Sequence, residues 1–247
     1  MNSRTIDPRA LSVAEYDQGW ENQWDDMKRY GPFSRHLRRL IVDLVRPLEF
    51  ESVLDVGCGQ GMFLAELQAE FPCMKPHGID ISPTAVKLAQ SRVRGGRFEV
   101  LDLATGYLDE KFDLVICSEV LEHIQADRMA ISHLAAMTGK HLVVTTPQGR
   151  MRPSEVMMGH VRNYGYEELV QKLVQGGLRV KQTIQWGFPF YSPLYRDFLD
   201  RIGNQGTSGR YGVTRKLISA MLYGLFAFNS TKRGDELLVL AEPARAD

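Results

Sequence analysis

Residues 53–61, with the sequence Val-Leu-Asp-Val-Gly-Cys-Gly-Gln-Gly, constrain the fold of this chain more than any other segment. Apolar residues typical of a buried strand come first, and glycines follow at the alternate positions 57, 59 and 61. The apolar stretch 62–67 comes directly after, so the pattern predicts a strand, a tight turn and a helix. Glycines in such a turn leave the backbone bare, and a ligand can approach it more closely than a Cβ would allow.

The spacing of these glycines distinguishes between two kinds of nucleotide ligand. A dinucleotide-binding turn has the pattern G-x-G-x-x-G and holds a pyrophosphate at the helix N-terminus. This chain has G-x-G-x-G, with Asp55 two residues before the first glycine. A carboxylate there repels a pyrophosphate but attracts a ligand with a cationic amine. S-adenosyl-L-methionine has such an amine and no phosphate, and it is the predicted cofactor; a glycine turn without any ligand is the alternative.

Four segments occur in the order found in class I S-adenosylmethionine-dependent methyltransferases, which the chain resembles over roughly residues 30–242. They are VLDVGCGQG at 53–61, HGIDIS at 77–82, VLDLA at 100–104 and FDLVICSEVLEHI at 112–124. The Glu-Val-Leu-Glu-His segment at 119–123 is similar to that of small-molecule methyltransferases related to ubiquinone-pathway enzymes. The resemblance implies an α/β fold: a Rossmann-like, seven-stranded, mostly parallel sheet with an antiparallel last strand, helices on both faces and helical lid additions.

Alternating strand and helix patterns after residue 50 support this fold. Strands are predicted at 52–57, 75–80, 97–101, 112–117, 140–145, 178–186 and 236–242. The main helices are predicted at 34–46, 62–70, 83–93, 126–137, 166–175 and 213–228. We expect an N-terminal helical lid or cap over residues 1–50, and a cofactor-binding domain over 51–247 with a helical insertion at about 188–234.

The apolar helix predicted at about 213–228 has three interpretations. It suits a lid or a wall of the substrate pocket, and an additional core helix fits the same pattern. The third interpretation is weak contact with a membrane surface through about 210–233, because basic residues flank the helix. These residues are Arg210, Arg215, Lys216, Lys232 and Arg233.

Composition argues against several partners. The 30 basic and 30 acidic residues cancel, so no overall field attracts nucleic acid. Residues 1–10 lack the apolar core of a secretory signal, and no run of about 18 apolar residues predicts a membrane span.

The cysteines at 58, 73 and 117 fit a reducing compartment, so we expect a cytoplasmic protein, as a monomer or a homodimer. No Asp, Glu and His cluster with metal-type spacing is evident, and no metal is predicted.

The cofactor is expected at the carboxyl ends of the strands, where the strand order reverses. The backbone of Gly57, Cys58 and Gly59 is expected beneath its methionine portion, with Asp55 at its amine. The ribose and the adenine of the cofactor are expected further along the same edge of the sheet.

Acidic residues that end the next strands are predicted to hold the nucleoside. Asp80 can accept both ribose hydroxyls in charge-assisted hydrogen bonds, and Ile81 would lie on the adenine face. The resemblance implies that Asp102 accepts the adenine amino group, that the Leu103 N–H meets the ring, and that the Ser118 carbonyl meets the amino acid portion. A helix-capping acid at Asp80 and a plain turn residue at Asp102 are the alternatives.

Aromatic residues near the N-terminus have two interpretations of equal weight. Tyr16, Trp20 and Trp24 would fold over the cofactor, with Arg35 reaching its carboxylate, as aromatic N-terminal helices do in related enzymes. Simple packing of an aromatic helix face is the alternative.

Two histidines are candidates for a general base. The sulfonium methyl is already activated, so an amine acceptor needs little help, whereas a hydroxyl of high pKa needs a base. His123 is the first candidate because imidazole titrates near neutral pH, with a structural cap of the next helix as the alternative. His160 and Tyr164, four residues apart, would position or deprotonate a hydroxyl, or brace their loop.

The predicted acceptor is a hydroxyl or an amine of a small, apolar or aromatic molecule, because the insertion is rich in Phe, Tyr, Met and Leu. Methylation of RNA, DNA or protein is disfavoured. Enzymes that act on exocyclic or amide nitrogens carry Asn/Asp-Pro-Pro-aromatic after strand 4, where this chain has Cys-Ser-Glu-Val at 117–120. A non-catalytic cofactor-binding subunit and a nicotinamide oxidoreductase are alternatives of other classes.

Overall fold

The computed structural model describes residues 9–22, 24–201 and 209–244. Residues 1–8 of the predicted cap and 202–208 of the predicted insertion lie outside this description. The helices are α1 Val13–Asn22, α2 Asp25–Tyr30, α3 Pro32–Val45, α4 Met62–Glu70, α5 Pro83–Arg92, α6 Asp127–Met137, α7 Pro153–Met157, α8 Tyr166–Gln175, α9 Arg196–Arg201 and α10 Val213–Phe226. The strands are β1 Ser52–Val56, β2 Lys75–Asp80, β3 Arg97–Val100, β4 Phe112–Ser118, β5 Thr138–Pro147, β6 Leu178–Trp186 and β7 Glu236–Pro243.

The strands form one seven-stranded sheet in the order β3-β2-β1-β4-β5-β7-β6. Strands β1 to β5 pair in parallel, and β7 lies antiparallel between β5 and β6. The predicted Rossmann-like sheet with an antiparallel last strand is therefore confirmed. From β1 the chain moves outward through β2 to β3 and then returns to β4, so the strand order reverses between β1 and β4. Ligands of open parallel sheets bind at this point.

Helices cover both faces of the sheet, as predicted. Successive residues of β4 alternate between the two hydrophobic clusters, with Leu114 and Ile116 in one and Val115 and Cys117 in the other. A strand buried on both faces needs such a continuous apolar run. Helix α3 contributes Leu37, Leu40, Ile41, Leu44 and Val45 to the first cluster, so this part of the predicted cap belongs to the core.

Most predicted elements agree with the structure to within two residues at each end. Short helices are the main difference, since α7 and α9 contain only five and six residues. A stretch of that length spans less than two turns and shows no helical periodicity. The two tryptophans predicted on one helix are divided, because α1 ends at Asn22 and Trp24 is the N-cap of α2. None of the helices in the described ranges is both long and apolar enough to cross a membrane.

The start of α5 connects the N-terminal helices to the sheet. Ser82 is the N-cap, and its hydroxyl oxygen accepts a hydrogen bond from the Ala85 N–H at 3.0 Å, as expected before Pro83. The same hydroxyl donates to the carboxylate of Asp17 on α1, which also accepts from the Thr84 N–H at 3.2 Å. One serine therefore caps α5 and anchors α1.

We expect the substitution Ser82→Ala to lower the free energy of unfolding by about 1–2 kcal/mol, because it removes a buried cap. Denaturant unfolding measures this. Ser91→Ala is the matched control, since the Ser91 hydroxyl is exposed and bonds only within α5, to the Leu88 carbonyl; it should change stability by less than about 0.5 kcal/mol. Equal effects of both changes would show that the cap carries no special stability.

Candidate active site

A cavity of about 670 Å³ lies at the carboxyl ends of β1, β2 and β4. The glycine turn and the strand ends form one side, while α1, α2, residues 191–199 and Tyr211 form the other. The structure brings most of the predicted site residues to this cavity. They are Tyr16, Trp20, Asp55, Gly57, Cys58, Gly59, Asp80, Ile81, Asp102, Leu103, Ser118, His123 and His160.

The glycine turn is closely packed by side chains from two other segments. Gly57 and Gly59 have φ angles of 73° and 53°, in the left-handed region that favours glycine. A Cβ on Gly57 would lie 2.4 Å from a Val120 methyl, and one on Gly59 would lie 2.5 Å from the Trp20 ring. The two glycines are therefore required both by backbone conformation and by the close approach of their neighbours.

Asp80 has the geometry expected of a ribose ligand. Its Oδ2 accepts a hydrogen bond from the Gly59 N–H at 2.8 Å, and its Oδ1 accepts from the Ser82 N–H at 2.9 Å. Each carboxylate oxygen has a second lone pair, so the side chain can accept one further hydrogen bond at each atom. Burial raises the pKa of Asp80, and the two N–H donors oppose that shift.

Asp55 lies deeper, at 4% exposure. Burial, with a further contribution from Asp80, raises the pKa of Asp55 to about 8. A cationic amine in the cavity would favour the ionised carboxylate and reverse this shift. Asp55 therefore suits an ammonium group, which would favour its ionised form, whereas a phosphate would disfavour that form.

The predicted adenine contacts lie at the other end of the cavity. Asp102 lines it, and the Asp102 Oδ1 also accepts from the Ala104 N–H at 2.8 Å. The side chain therefore shapes its own turn while it faces the cavity. Ser118, at the end of β4, has its hydroxyl 2.9 Å from that of Thr145.

The N-terminal aromatic residues lie over the glycine turn. The Trp20 and Trp24 rings pack edge to face with centroids 5.2 Å apart, and the Tyr16 ring lies 6.0 Å from His123. All three aromatic residues line the cavity. Aromatic side chains therefore lie where a cover over the cofactor was expected, and their contact with the cofactor remains a prediction.

Arg35 is not brought to the cavity. Its guanidinium stacks on the ring of Tyr223 in α10, at 3.8 Å from the centroid. Arg38, one helical turn later, lines the cavity and donates to the Lys28 carbonyl at 2.7 Å and to Glu66 at 2.6 Å. This placement does not support the predicted contact of Arg35 with the cofactor, because the sequence alone does not show which side of α3 meets α10.

Tyr164 is also outside the cavity lining. It is fully buried, and its hydroxyl lies 2.9 Å from the Asp127 Oδ2 and 3.3 Å from the Leu121 carbonyl. Arg162 and Lys172 pair with the same carboxylate. The structure thus supports the bracing interpretation of Tyr164, next to the predicted catalytic segment.

The two histidines lie together at the cavity, with ring centroids 4.6 Å apart. The His123 Nδ1 lies 3.2 Å from the Gly159 carbonyl, so an N–H on that atom leaves Nε2 as a lone-pair nitrogen. Burial lowers the pKa of His123 to about 4, and burial together with His123 lowers the pKa of His160 to about 3. Both rings are therefore neutral at pH 7, and both are weaker bases than the ordinary imidazole on which the prediction rested.

Three glutamates near the histidines, of which Glu122 and Glu236 are buried and Glu119 is half-buried, are functional candidates that sequence reasoning missed. Glu119 and Glu236 line the cavity, and Glu122 lies fully buried behind His123. Burial raises the pKa of each glutamate, and the charge of Glu119 adds to the shifts of Glu122 and Glu236. Glu119 is the one non-glycine residue in the described part of the chain with a positive φ, 59°. For Glu119 and Glu122, the signal in the sequence was the pair of acids in the segment Glu-Val-Leu-Glu-His at 119–123.

Glu122, His123 and His160 also form a potential metal-binding group. Their donor atoms lie within 4.8 Å of one another. The Glu122 Oε1 and the His160 Nδ1 have no hydrogen-bond partner, while the Glu122 Oε2 accepts from the Thr146 hydroxyl at 3.1 Å. Glu122 and His123 are adjacent but His160 is distant in sequence, so no short spacing pattern could reveal the group. The absence of a metal remains a prediction.

The family model for the methyltransferase domain matches residues 28–189, which include the glycine turn, Asp80, Asp102 and both histidines. The chain belongs to the S-adenosylmethionine-dependent methyltransferases. S-adenosylmethionine is accordingly the cofactor of this methyltransferase, and its predicted class I fold agrees with the sheet order described above.

Known relatives of the methyltransferase match part of its length. Trans-aconitate 2-methyltransferase of Escherichia coli O7:K1 (strain IAI39 / ExPEC) is 30% identical over 118 residues, which are 47% of each chain. An uncharacterised methyltransferase of Mycobacterium bovis is 33% identical over 111 residues, 43% of this chain and 55% of that one. The chain thus spans about half the length of the curated relatives it matches.

Solved structures share the fold over nearly the whole chain. N-methyltransferase NodS from Bradyrhizobium japonicum WM9, in complex with S-adenosyl-L-homocysteine, has a TM-score of 0.61 at 19% identity, covering 94% of this chain and 98% of its own. The [4+2]-cyclase SpnF has a TM-score of 0.62 at 18% identity, covering 98% of both chains. These likenesses concern the fold alone.

We expect Asp80→Asn to weaken the binding of S-adenosylmethionine to this methyltransferase about 10- to 100-fold, because a charge-assisted hydrogen bond is worth about 1.5–3 kcal/mol. Isothermal titration calorimetry measures the affinity. Asp109→Asn, at an exposed position outside the cavity, is the control and should bind normally. Unchanged affinity in a folded Asp80→Asn protein would refute the ribose assignment.

Proposed function

We propose that this methyltransferase transfers the methyl group of S-adenosylmethionine to a hydroxyl of a small, apolar or aromatic molecule. The observation that carries the proposal is the pair of neutral imidazoles, His123 and His160, at the cavity. In the transfer, a lone pair of the acceptor oxygen attacks the methyl carbon while the C–S bond breaks toward sulfur. The hydroxyl proton passes to an imidazole, and S-adenosyl-L-homocysteine is released.

The wall opposite the cofactor residues supports an apolar or aromatic acceptor. Tyr191, Tyr195, Leu199, Tyr211 and Met158 line that part of the cavity. The Tyr191 ring stacks on Phe33 of α3, with centroids 4.8 Å apart. Apolar and aromatic walls with a few polar groups are typical of small-molecule sites. This wall includes parts of the N-terminal cap and of the insertion, which supports a lid function for both.

An amine acceptor is the second candidate, and the buried glutamates favour it. Both Glu236 carboxylate oxygens are buried with no N–H group or hydroxyl donating to them, and the Glu119 carboxyl lies close enough to share a proton with Glu236. A protonated amine would satisfy this carboxylate on binding, but it has to lose its proton before it can attack the methyl group. NodS is named as an N-methyltransferase, so the shared fold is compatible with this chemistry.

A binding protein without methyl transfer is the hypothesis from another class. SpnF is named as a [4+2]-cyclase, and its fold likeness shows that this architecture does not by itself define the reaction. The cavity-lining acids and histidines favour a catalyst. A methyl-transfer assay on a panel of phenols and amines, analysed by mass spectrometry, distinguishes catalyst from binding protein.

We further propose a cytoplasmic location and no nucleic-acid partner, for a chain that acts as a monomer or a homodimer. Cys58, Cys73 and Cys117 are free thiols, which supports a reducing compartment. The zero net charge gives no electrostatic attraction to nucleic acid.

We expect His123→Ala and His160→Ala to differ in their effect on turnover. Replacing the histidine that acts as the base should lower kcat about 100-fold or more. Because the pKa values of His123 and His160 are lowered to about 4 and about 3, the neutral base is fully available at higher pH. Wild-type kcat should therefore stay level between about pH 6 and pH 8 and fall only as the pH approaches these low values. His77→Ala, within β2 and outside the cavity lining, is the control.

Full turnover in both the His123→Ala and the His160→Ala variant would refute the proposal that one of these histidines acts as a general base. The assay should also be run after chelation and with added Mg²⁺ or Zn²⁺, because the Glu122, His123 and His160 donors could hold a cation. Turnover that requires the added ion would replace the base mechanism by metal-assisted activation of the hydroxyl.

We expect Tyr164→Phe to lower the free energy of unfolding by about 1–2 kcal/mol while turnover changes less than about twofold, because its hydroxyl bonds to buried Asp127 outside the cavity. Denaturant unfolding and steady-state kinetics measure the two effects. Tyr166→Phe, at a partly exposed position on α8, is the matched control. A large loss of turnover at unchanged stability would restore the predicted catalytic role of Tyr164.

A further inference from the structure

An exposed apolar stripe on α10 is explained neither by the core nor by the cavity. Val213, Leu217, Met221, Leu225 and Phe228 recur at intervals of four, four, four and three residues, which places them on one side of the helix and its extension. Their exposed fractions are 76%, 65%, 69%, 40% and 77%. A surface helix normally directs polar or charged residues outward, so this stripe needs a partner.

The opposite side of α10 is the side that packs on the protein. Ser219 and Phe226 are buried there. The Tyr223 ring stacks on His36 of α3, with centroids 4.2 Å apart, and the His36 Nε2 lies 2.7 Å from the Tyr223 carbonyl oxygen. The helix is thus apolar on both sides but covered on only one, and residues 217–231 contain no charged side chain.

Positive charge is concentrated at the two ends of this stripe. Residues 209–234 contain Arg210, Arg215, Lys216, Lys232 and Arg233 but no Asp or Glu, although the whole chain has a formal net charge of +0. Arg210, Lys216, Lys232 and Arg233 are exposed. Apolar side chains flanked by exposed cations match a surface that is apolar inside and anionic at its edge.

We propose that α10 docks on an anionic lipid bilayer, lying in the interface with its apolar stripe among the acyl chains and its basic ends at the headgroups. Charge decides between this occupant and a second copy of the chain. Two α10 helices packed stripe to stripe would bring basic ends together whether they ran parallel or antiparallel. Anionic headgroups instead attract both ends, because each Lys or Arg near the surface gains from the negative surface potential.

The docking helix also adjoins the acceptor wall. Tyr211, two residues before α10, lines the cavity together with Tyr195. A methyltransferase held at a bilayer through α10 would meet apolar acceptors that partition into lipid. Membrane docking therefore gives a reason for an aromatic wall at this end of the cavity.

Vesicle flotation of the full chain tests the proposal without any methyl acceptor, so its outcome is independent of the proposed reaction. Vesicles contain phosphatidylcholine with phosphatidylglycerol, or phosphatidylcholine alone. We expect binding to the anionic vesicles, weakened by added salt, and much weaker binding to the neutral ones. Met221→Ser should weaken binding roughly tenfold, and Lys232→Glu should weaken it about tenfold on anionic vesicles only.

Matched controls keep these outcomes interpretable. Met129→Ser, at a 54% exposed methionine on α6, and Lys87→Glu, at an exposed position on α5, should bind as the wild type does. Failure of the wild type to float with anionic vesicles would overturn the proposal, and so would Met221→Ser binding with unchanged affinity. A dimer in sedimentation that Met221→Ser abolishes, without vesicle binding, would assign the stripe to a second copy of the chain.

Discussion

The buried carboxylate of Asp80 is the contact on which the rest of the site depends. It accepts one backbone N–H from the glycine turn after β1 and another from the start of α5 after β2. The cap of that helix, Ser82, then holds α1 through Asp17. Sheet edge, glycine turn and N-terminal aromatic cover are thus linked through two adjacent turns. A ligand that engages the free lone pairs of Asp80 contacts the centre of this network.

Electrostatics explain why the cavity suits a cationic cofactor. Asp55, Glu122 and Glu236 are buried at or near it and Glu119 is half-buried there, and desolvation raises the pKa of each. Arg196 pairs with Glu155 and Asp235, whereas Lys28 lines the cavity and lowers the pKa values of Asp55, Glu119 and Glu122, which opposes the effect of burial in part. An ammonium group and a sulfonium would favour ionisation of these acids, so cofactor binding and the charge state of the site should be coupled.

Local patterns were sufficient for the sheet, for the Ser82 cap and for the residues at strand ends, because each depends on a few neighbouring positions. Arg35 and Tyr164 show where such patterns fail. Arg35 lies on the side of α3 that meets Tyr223 of α10, and only the docking of α10 shows that this side is turned away from the cavity. Tyr164 is held by Asp127, whose approach depends on how α6 and α8 pack. Helical spacing cannot reveal either partner.

The sequence by itself determined the order of strands and helices, the bare glycine turn and the acids at the strand tips, because hydrophobic periodicity and glycine conformation act over short distances. Only the tertiary structure decided which side chains share the cavity. It joined His123 to His160, placed Glu236 beside Glu119, and left one apolar side of α10 uncovered. These contacts join residues far apart in the chain, and their distances depend on how whole elements pack.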